Sequence, residues 1–360
     1  MPKFIHWILR LNNPTLGIIL GFFFFSFPFI SRSQNPSRLS TGKWIKVGVT
    51  QSGMLKIDAA WLEKNQINRS DINPKQVGLY STKPGMLPQD LAKERPYDLQ
   101  AWPMYFEGEA DGKWDASDYL LFWGESPHVL VGEPETHLYS DSTFYFIRLD
   151  DPTARRISEV EAKPGKSPAL DYGYVQLHYE PETYSLIQSG REWLGDAFYG
   201  TSNKIVQYNL PDYKVGNPSY FRTRLINSSV NAGEFTLEFP GQSYPVISIP
   251  AISGSRYDQK SNTKEYTTWL SPQLKDNTWN WTLRYTNSSG TGYLDFISLK
   301  YPKLYNASQE NPWYLLPNTK DSSFSISIKN LGASHQIWWK NGSNEWVKFK
   351  NPMGTIQLEA

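Results

Sequence analysis

The sequence predicts a mainly β protein, in which a small α+β N-terminal domain is followed by a jelly-roll-like β-sandwich and a partial β segment. Three observations predict this fold class. Short segments alternate apolar and polar residues, turn-forming clusters separate them, and 15% of the 360 residues are aromatic, with 25 Gly and 25 Pro. Because this length exceeds what one hydrophobic core usually organises, we expect more than one domain.

Residues 1–33 have the features of a secretory signal peptide. Two basic residues precede the apolar run Leu16–Ile30, and the small-x-small site Ser31-Arg32-Ser33 follows it. The alternative is a retained transmembrane anchor, but the run is short for a bilayer and Pro28 interrupts it. The sequence therefore predicts export and a mature chain that begins at Gln34.

Residues 34–130 are predicted to form a small β-rich domain with one short helix. The segment Lys43–Ile57 alternates apolar and polar residues around the turn Gln51-Ser52-Gly53, which predicts a β-hairpin. Asp58 is the predicted N-cap of a helix over Ala59–Ile67. Further strands are predicted at Val77–Tyr80, Met104–Glu107 and Tyr119–Trp123.

Residues 131–303 are predicted to form the β-sandwich, because strand patterns occur there without a helix. Turn clusters such as Asn227-Ser228-Ser229 and Asn287-Ser288-Ser289-Gly290 separate these patterns. The predicted strands are Phe144–Leu149, Tyr174–Tyr179, Tyr220–Ile226, Glu234–Phe239, Val246–Ile249, Trp279–Tyr285 and Tyr293–Tyr301.

Residues 304–360 are predicted to be a β segment that leads towards a missing C-terminal domain. Strands are predicted at Phe324–Ile328, Gln336–Lys340 and Trp346–Phe349. The last residues, Gly354–Leu358, have the pattern of a further strand, and an unpaired terminal strand would expose backbone donors. We therefore expect the sequence to be incomplete at its C-terminus.

Composition excludes several classes of function. The sequence contains no Cys, so it has neither disulfides nor thiolate ligands. Its 36 basic and 35 acidic residues are scattered, which gives no basic surface for nucleic acid. It also lacks the G-x-S-x-G, H-E-x-x-H and phosphate-loop motifs. No catalytic residue and no organic cofactor are predicted.

The densest acidic segment, Glu107–Asp118, leads directly into a predicted strand. Asp111, Asp115 and Asp118 have the close spacing of oxygen ligands that Ca²⁺ prefers, although the terminal Glu of an EF-hand loop is missing. The alternative is an Asp-Gly turn followed by an Asp-capped turn. These three aspartates are the candidate calcium ligands.

Other clusters have weaker interpretations. In Ser189–Asp196, Arg191 next to Glu192 and Asp196 predicts an ion pair or a contact surface, and these two acids are the minimal pair for a glycosidase. His128 and His137 in a Glu-rich loop allow a zinc site or solvated histidines. Two tryptophan pairs, Trp338-Trp339 and Trp279-Asn280-Trp281, allow sugar stacking or core packing.

An ordered set of segments resembles the N-terminal region of the type IX secretion system sortase, a gingipain-type cysteine peptidase. The set spans residues 42 to about 300. Its members are Gly42–Gly53, Gly85-Met86-Leu87-Pro88, Glu107–Gly124, Ser189–Asp196 and Gly292–Leu299.

The resemblance implies a role in exporting cargo proteins that carry C-terminal sorting signals. In that family the catalytic His and Cys lie in a later α/β domain, so no catalytic role carries over to any residue here. The implied partners are cargo proteins with C-terminal sorting domains and other type IX components at the outer membrane. The implied location is the periplasm or outer-membrane surface of a Gram-negative bacterium.

Two hypotheses about function follow. In the first, the chain is the non-catalytic scaffold or cargo-recognition region of such a sortase. In the second, it is a free-standing exported β-sandwich that binds glycan or protein at the cell surface.

Overall fold

The computed structural model describes residues 36–128 and 136–359, apart from residues 152, 189, 191, 243, 310–311, 318–322 and 344. The predicted signal peptide lies outside the described residues. The chain divides into two units, Met1–Thr41 and Gly42–Ala360. The described part of the first unit contains one 3₁₀ turn, Arg38–Ser40. The remaining description concerns the second unit.

The first part of the second unit contains two sheets and one α-helix. Its strands are β1 (Trp44–Val49), β2 (Gly53–Asp58), β3 (Gly78–Ser81), β4 (Gln100–Ala101), β5 (Tyr105–Glu107), β6 (Tyr119–Gly124) and β7 (Thr143–Arg148). One sheet has the order β1-β7-β3-β4 and the other β2-β6-β5. They enclose a core that includes Leu120, Phe122, Tyr145 and Ile147. Three 3₁₀ turns, Arg69–Asp71, Pro74–Gln76 and Glu109–Asp111, complete this part.

The helix α1 (Ala59–Lys64) forms where the sequence predicts it. The Asp58 carboxylate accepts a hydrogen bond from the Trp61 amide at 3.0 Å, which satisfies one of the free donors at the helix start. The predicted helix extends to Ile67, but the chain leaves the helix earlier. Gln66 has a φ of 57°, a left-handed conformation that is common just after a helix end.

The predicted β-hairpin over Lys43–Ile57 is wrong. β1 pairs with β7, whereas β2 pairs with β6 in the other sheet. The turn therefore carries the chain from one sheet to the next. β7 was also assigned to the sandwich from its sequence, but it pairs with β1 and β3. Alternation correctly indicates that these segments are strands, but it contains no information about which distant strand each one joins.

Two antiparallel sheets form the sandwich. Its strands are β9 (Tyr172–Tyr179), β10 (Ala197–Tyr199), β11 (Ser202–Asn209), β12 (Ser219–Asn227), β13 (Gly233–Glu238), β14 (Val246–Ile249), β15 (Asn262–Leu270), β16 (Thr278–Thr286) and β17 (Thr291–Leu304). One sheet contains β10, β17, β12 and β15, with β9 also paired to β17, and the other has the order β11-β16-β13-β14. The predicted fold class, mainly β with a β-sandwich, is confirmed.

The sandwich core is rich in aromatic side chains. Trp279 and Trp281 are 0% and 2% exposed, and their rings pack against Phe221 and Phe239. Strand alternation places these residues on the inner face of their sheets. Of the two interpretations of Trp279 and Trp281, the structure therefore supports core packing.

The last part of the chain joins both of the earlier parts. The strand β8 (Ser158–Glu161) precedes the sandwich and pairs in parallel with β20 (Trp346–Lys350), which also pairs with β19 (Ile337–Lys340). The strand β18 (Ser323–Ser327) pairs with β21 (Thr355–Glu359). Side chains from β18 to β21 and neighbouring segments form a separate core around Ile326, Phe349 and Ile356.

The terminal strand is paired, although the sequence leaves it without an evident partner. β21 pairs with β18 on one side, and on the other side the Gln357 amide donates to the Lys163 carbonyl at 3.0 Å. Residues near 163 complete the pairing, and their sequence has no strand pattern that would have indicated this role. The domain boundaries after residues 33, 130 and 303 remain predictions.

Candidate functional site

The three candidate calcium ligands lie in a turn. Asp111 accepts a hydrogen bond from the Lys113 amide at 2.9 Å, and Asp115 is exposed. Asp118 is only 6% exposed, and its carboxylate accepts from the Asp115 amide at 2.7 Å. Among the residues that the structure describes, no group of three or more His, Asp or Glu side chains is placed to hold a metal ion. The calcium site remains a prediction, and the hydrogen bonds are those of an Asp-capped turn.

Gly108 gives this turn its shape. It has a φ of 90°, and a Cβ atom built on it would lie 2.0 Å from the nearer Asp118 carboxylate oxygen. Only glycine therefore allows the buried Asp118 side chain to pack against the backbone here. Gly108 and Asp118 therefore belong to the same turn, which ends just before β6.

The two glutamates at the start of the acidic segment contact distant parts of the chain. Arg156 binds the Glu109 carboxylate with two nitrogens, at 2.7 and 2.9 Å, and also donates to the Val77 and Pro74 carbonyls. The Glu107 carboxylate lies 3.6 Å from the Lys348 ammonium, and the phenol of Tyr105 on its own strand donates to it at 2.5 Å. Glu107 and Glu109 thus hold separate elements together.

We define the junction cluster as Lys348, Glu159, Glu107, Tyr105 and Trp338. The Lys348 side chain is 10% exposed, and its ammonium lies 3.0 Å from Glu159 and 3.6 Å from Glu107. The same nitrogen lies 3.9 Å from the Tyr105 ring centroid, and Tyr105 packs edge-on against Trp338. The hydrogen bond from Lys348 lowers the pKa of Glu159. This cluster joins β5, β8, β19 and β20.

The second tryptophan pair also has a packing role. Trp338 contacts Tyr105 with a ring-centroid distance of 5.4 Å. On the other face of β19, Trp339 packs near Phe324 and donates its indole N–H to the Glu359 carbonyl at 3.1 Å. Because both rings are half-buried between neighbouring strands, neither forms a flat exposed platform.

A second group of charges lies on the outer face of the five-stranded sandwich sheet. We define the charged cluster as Arg224, Asp295, Glu192, His178 and Glu180. Arg224 binds Asp295 and Glu192, each at 3.0 Å. The Asp295 side chain is only 3% exposed, and burial raises its pKa to about 6 despite the neighbouring Arg224. Glu180 and Glu192 add repulsion that favours the protonated form of Asp295.

His178 and Glu180 form the other half of the charged cluster. His178 Nε2 lies 2.9 Å from the Glu180 carboxylate, and the Thr136 hydroxyl also donates to Glu180. Burial opposes ionisation of Glu180, but these hydrogen bonds outweigh it and lower its pKa. The His178 ring lies 5.6 Å from Phe296, and its Nδ1 is buried without a hydrogen-bond partner among the described residues.

The sequence indicated only one member of this cluster. Glu192 belongs to the predicted segment Ser189–Asp196, but its partner is Arg224, while Arg191 lies outside the described residues. Asp196 instead pairs with Lys204 and accepts from Tyr179. The two acids considered for a glycosidase are therefore each paired with a different cation. The register of β9, β12 and β17, which the sequence does not specify, brings the rest of the cluster together.

The two loop histidines accept hydrogen bonds from the backbone. His128 Nδ1 accepts from the His137 amide at 3.0 Å, and His137 Nδ1 accepts from the Tyr139 amide at 3.2 Å. Of the three acids in this Glu-rich loop, Glu125 is described by the structure, whereas Glu133 and Glu135 lie outside the described residues. The described helices include none that is long and apolar enough to cross a membrane.

The fold is similar to that of dimeric latent PorU from Porphyromonas gingivalis, known from a crystal structure. The TM-score is 0.70 at 19% sequence identity, and the match covers 89% of this chain and 30% of PorU. This chain thus spans less than a third of the length of PorU. At this identity, the likeness shows a shared fold.

Two further solved structures have much lower scores. The insecticidal delta-endotoxin Cry8Ea1 from Bacillus thuringiensis has a TM-score of 0.25 at 10% identity, covering 65% of this chain and 43% of the toxin. The CBM36-1 domain of a multidomain xylanase from the hindgut metagenome of Trinervitermes trinervoides has 0.22 at 14% identity, covering 36% of this chain and 95% of that domain. Neither supports an argument about this chain. No protein-family model matches the sequence. No curated protein sequence matches it either.

Proposed function

We propose that this chain is the N-terminal, non-catalytic region of a type IX secretion sortase-like cysteine peptidase. In this role it serves as a scaffold or as a recognition region for cargo proteins with C-terminal sorting signals. The observation that carries the proposal is the similarity to PorU, a type IX sortase, over 89% of the chain. The ordered segments between residues 42 and about 300 support it independently of the fold.

The absence of cysteine determines the non-catalytic part of the proposal. A cysteine peptidase attacks its substrate with a thiolate, and none of the 360 residues is a cysteine. The chain therefore binds or positions cargo while another polypeptide segment supplies the nucleophile.

The proposal also assigns a location and partners. The pattern of residues 1–33 supports export, and the related fold of PorU supports an envelope-associated protein. The chain acts in the periplasm or at the outer-membrane surface, together with other type IX components. The free-standing glycan-binding alternative was based on two tryptophan pairs, and the burial of Trp279 and Trp281 removes one of them.

The test compares two forms of one cargo protein, with and without its C-terminal sorting domain. The purified chain is added to each form immobilised on a sensor surface, and the cargo is then analysed for cleavage by mass spectrometry. We expect binding that requires the sorting domain, and no cleavage. Equal binding of both forms would contradict cargo recognition, and cleavage would contradict the non-catalytic assignment.

A further inference from the structure

One row of side chains crosses the outer face of the five-stranded sandwich sheet. Trp269 on β15 is the register partner of Tyr220 on β12, which is the partner of Lys300 on β17, and Lys300 is the partner of Gln176 on β9. Three inter-strand spacings give this row a length of about 14 Å. We define the aromatic row as Trp269, Tyr220 and Lys300 of this line, together with Tyr174, which lies two residues before Gln176 on β9.

Trp269 is the exposed member of the aromatic row, and Tyr220, Lys300 and Tyr174 are half-buried. Trp269 is 58% exposed although it is a large apolar residue, and its ring lies 5.1 Å from the half-buried Tyr220 ring. The Lys300 ammonium lies 4.9 Å from the Tyr174 ring centroid. The row lies on the opposite face of the sheet from its core residues, such as Phe221 and Leu299.

The charge of the row is not balanced within the protein. Elsewhere on this face Arg222 pairs with Glu265 at 2.9 Å and Arg224 pairs with two acids. Lys300, in contrast, forms no ion pair with a carboxylate in the parts of the chain that the structure describes. Its position between two tyrosines leaves the ammonium available to an anion that also contacts the rings.

We propose that the aromatic row binds a carboxylated polysaccharide. The C–H faces of sugar rings stack on Trp269 and Tyr220, and a sugar carboxylate pairs with Lys300. This inference goes beyond the proposed function and does not depend on it, since it concerns a different ligand and different residues. The site is a sugar-binding face of the sandwich.

The same observations disfavour other polymers. Nucleic acid binding depends on several phosphate contacts, whereas the row has one unpaired lysine and the whole chain has a net charge of +1. Peptides are usually bound along a strand edge or in a groove. The aromatic row instead runs across the strands on a sheet face, where aromatic rings at strand spacing match a chain of sugar rings.

The experiment measures binding of the purified chain to three polymers. Polygalacturonate has sugar rings and carboxylates, dextran has sugar rings only, and poly-L-glutamate has carboxylates only. We expect polygalacturonate to bind most tightly. Trp269→Ala weakens that binding about tenfold or more, because tryptophan side chains commonly contribute a large share of the binding energy where they contact a ligand. Lys300→Gln removes the preference for polygalacturonate over dextran.

Two substitutions outside the row serve as matched controls. Tyr257 is 93% exposed, and Lys264 is an exposed lysine on the same strand as Trp269. Tyr257→Ala and Lys264→Gln are expected to bind all three polymers like the unsubstituted chain, and thermal unfolding checks that every variant is folded. The proposal is overturned if the chain does not bind polygalacturonate, if poly-L-glutamate binds equally well, or if folded Trp269→Ala keeps full affinity.

Discussion

The junction cluster and the charged cluster each place one cation between two carboxylates, but the pKa of a carboxyl group shifts in opposite directions in the two. In the junction cluster, one lysine ammonium serves two carboxylates, and the pKa of Glu159 is lowered by the hydrogen bond from Lys348. In the charged cluster, one guanidinium serves Asp295 and Glu192, and burial raises the pKa of Asp295 to about 6.

The two pKa shifts have opposite consequences for the stability of the folded chain at neutral pH. The ion pair of Lys348 favours the folded state at neutral pH, because it holds Glu159 in its charged form. At the same pH, Asp295 lowers the stability of the folded state. Burial removes its carboxylate from water, so the charged form is less favourable in the folded than in the unfolded chain. Buried groups with strongly shifted pKa values concentrate at functional sites. The outer face of the sandwich is therefore the better place to look for function than the junction.

The largest expected effect comes from Lys348→Met. This change keeps most of the side-chain volume against Tyr105 and Trp338 but removes the ammonium from two carboxylates. Because Glu159 and Glu107 are 30% and 46% exposed, the loss is smaller than for a fully buried pair. We expect the free energy of unfolding in urea to fall by about 2 kcal/mol.

A double-mutant cycle tests whether that loss arises from the ion pair. Glu159→Gln in the Lys348→Met background is expected to cost less than Glu159→Gln alone, because its partner is already absent. Hydrogen exchange at β19 and β20 is expected to accelerate in Lys348→Met. If the two substitutions are additive and exchange is unchanged, the cluster does not hold the junction together.

Most strand positions were predictable from the sequence, because alternation is a local property. The prediction for Val246–Ile249 has the same bounds as β14. Strands β11 and β15 were missed because they lie at sheet edges, where exposed polar residues such as Lys264 and Glu265 hide the alternation. For the same reason, the sequence did not indicate that Trp269 lies on a strand.

The partners of the strands, and therefore both charge clusters, were not predictable in this way. Lys348 meets Glu159 only because β8 pairs in parallel with β20, and Arg224 meets Asp295 only through the pairing of β12 with β17. Neither pairing leaves a periodic signal in the sequence. The acidic segment Glu107–Asp118 was found because its residues are adjacent, although its two glutamates bind partners far along the chain.

The second prediction concerns pH and Asp295. Its pKa is raised from 3.8 to about 6 in the folded chain, so the folded state binds a proton more tightly than the unfolded state. The resulting stability is fully present below pH 3.8 and is lost as the pH rises through 6. Relative to the unsubstituted chain, Asp295→Asn is therefore expected to gain about 2 kcal/mol in free energy of unfolding between pH 4 and pH 7.

A matched control for this prediction lies on the same sheet face. Glu265 pairs with Arg222 and its side chain is 45% exposed, so Glu265→Gln removes a paired carboxylate from this face without changing a buried group. Urea unfolding at several pH values measures both variants. A difference between Asp295→Asn and the unsubstituted chain that stays constant from pH 4 to pH 7 would contradict the raised pKa. The contribution of the Lys348–Glu159 pair to stability has the opposite pH dependence, since it is lost as the pH falls below 4.5.

The smallest effect is expected at Asp111, where charge is neither buried nor shared. Its carboxylate caps the Lys113 amide in an exposed turn, and asparagine makes the same hydrogen bond. Asp111→Asn is therefore expected to change the free energy of unfolding by less than about 0.5 kcal/mol without Ca²⁺. The same variant tests the calcium prediction, because an ion that binds the folded state raises its stability in proportion to the logarithm of its concentration. If millimolar Ca²⁺ raises the melting temperature of the unsubstituted chain but not of Asp111→Asn, the turn is a calcium site. If neither responds, Asp111, Asp115 and Asp118 act only in the turn, and these three aspartates differ from both buried clusters in having a purely local role.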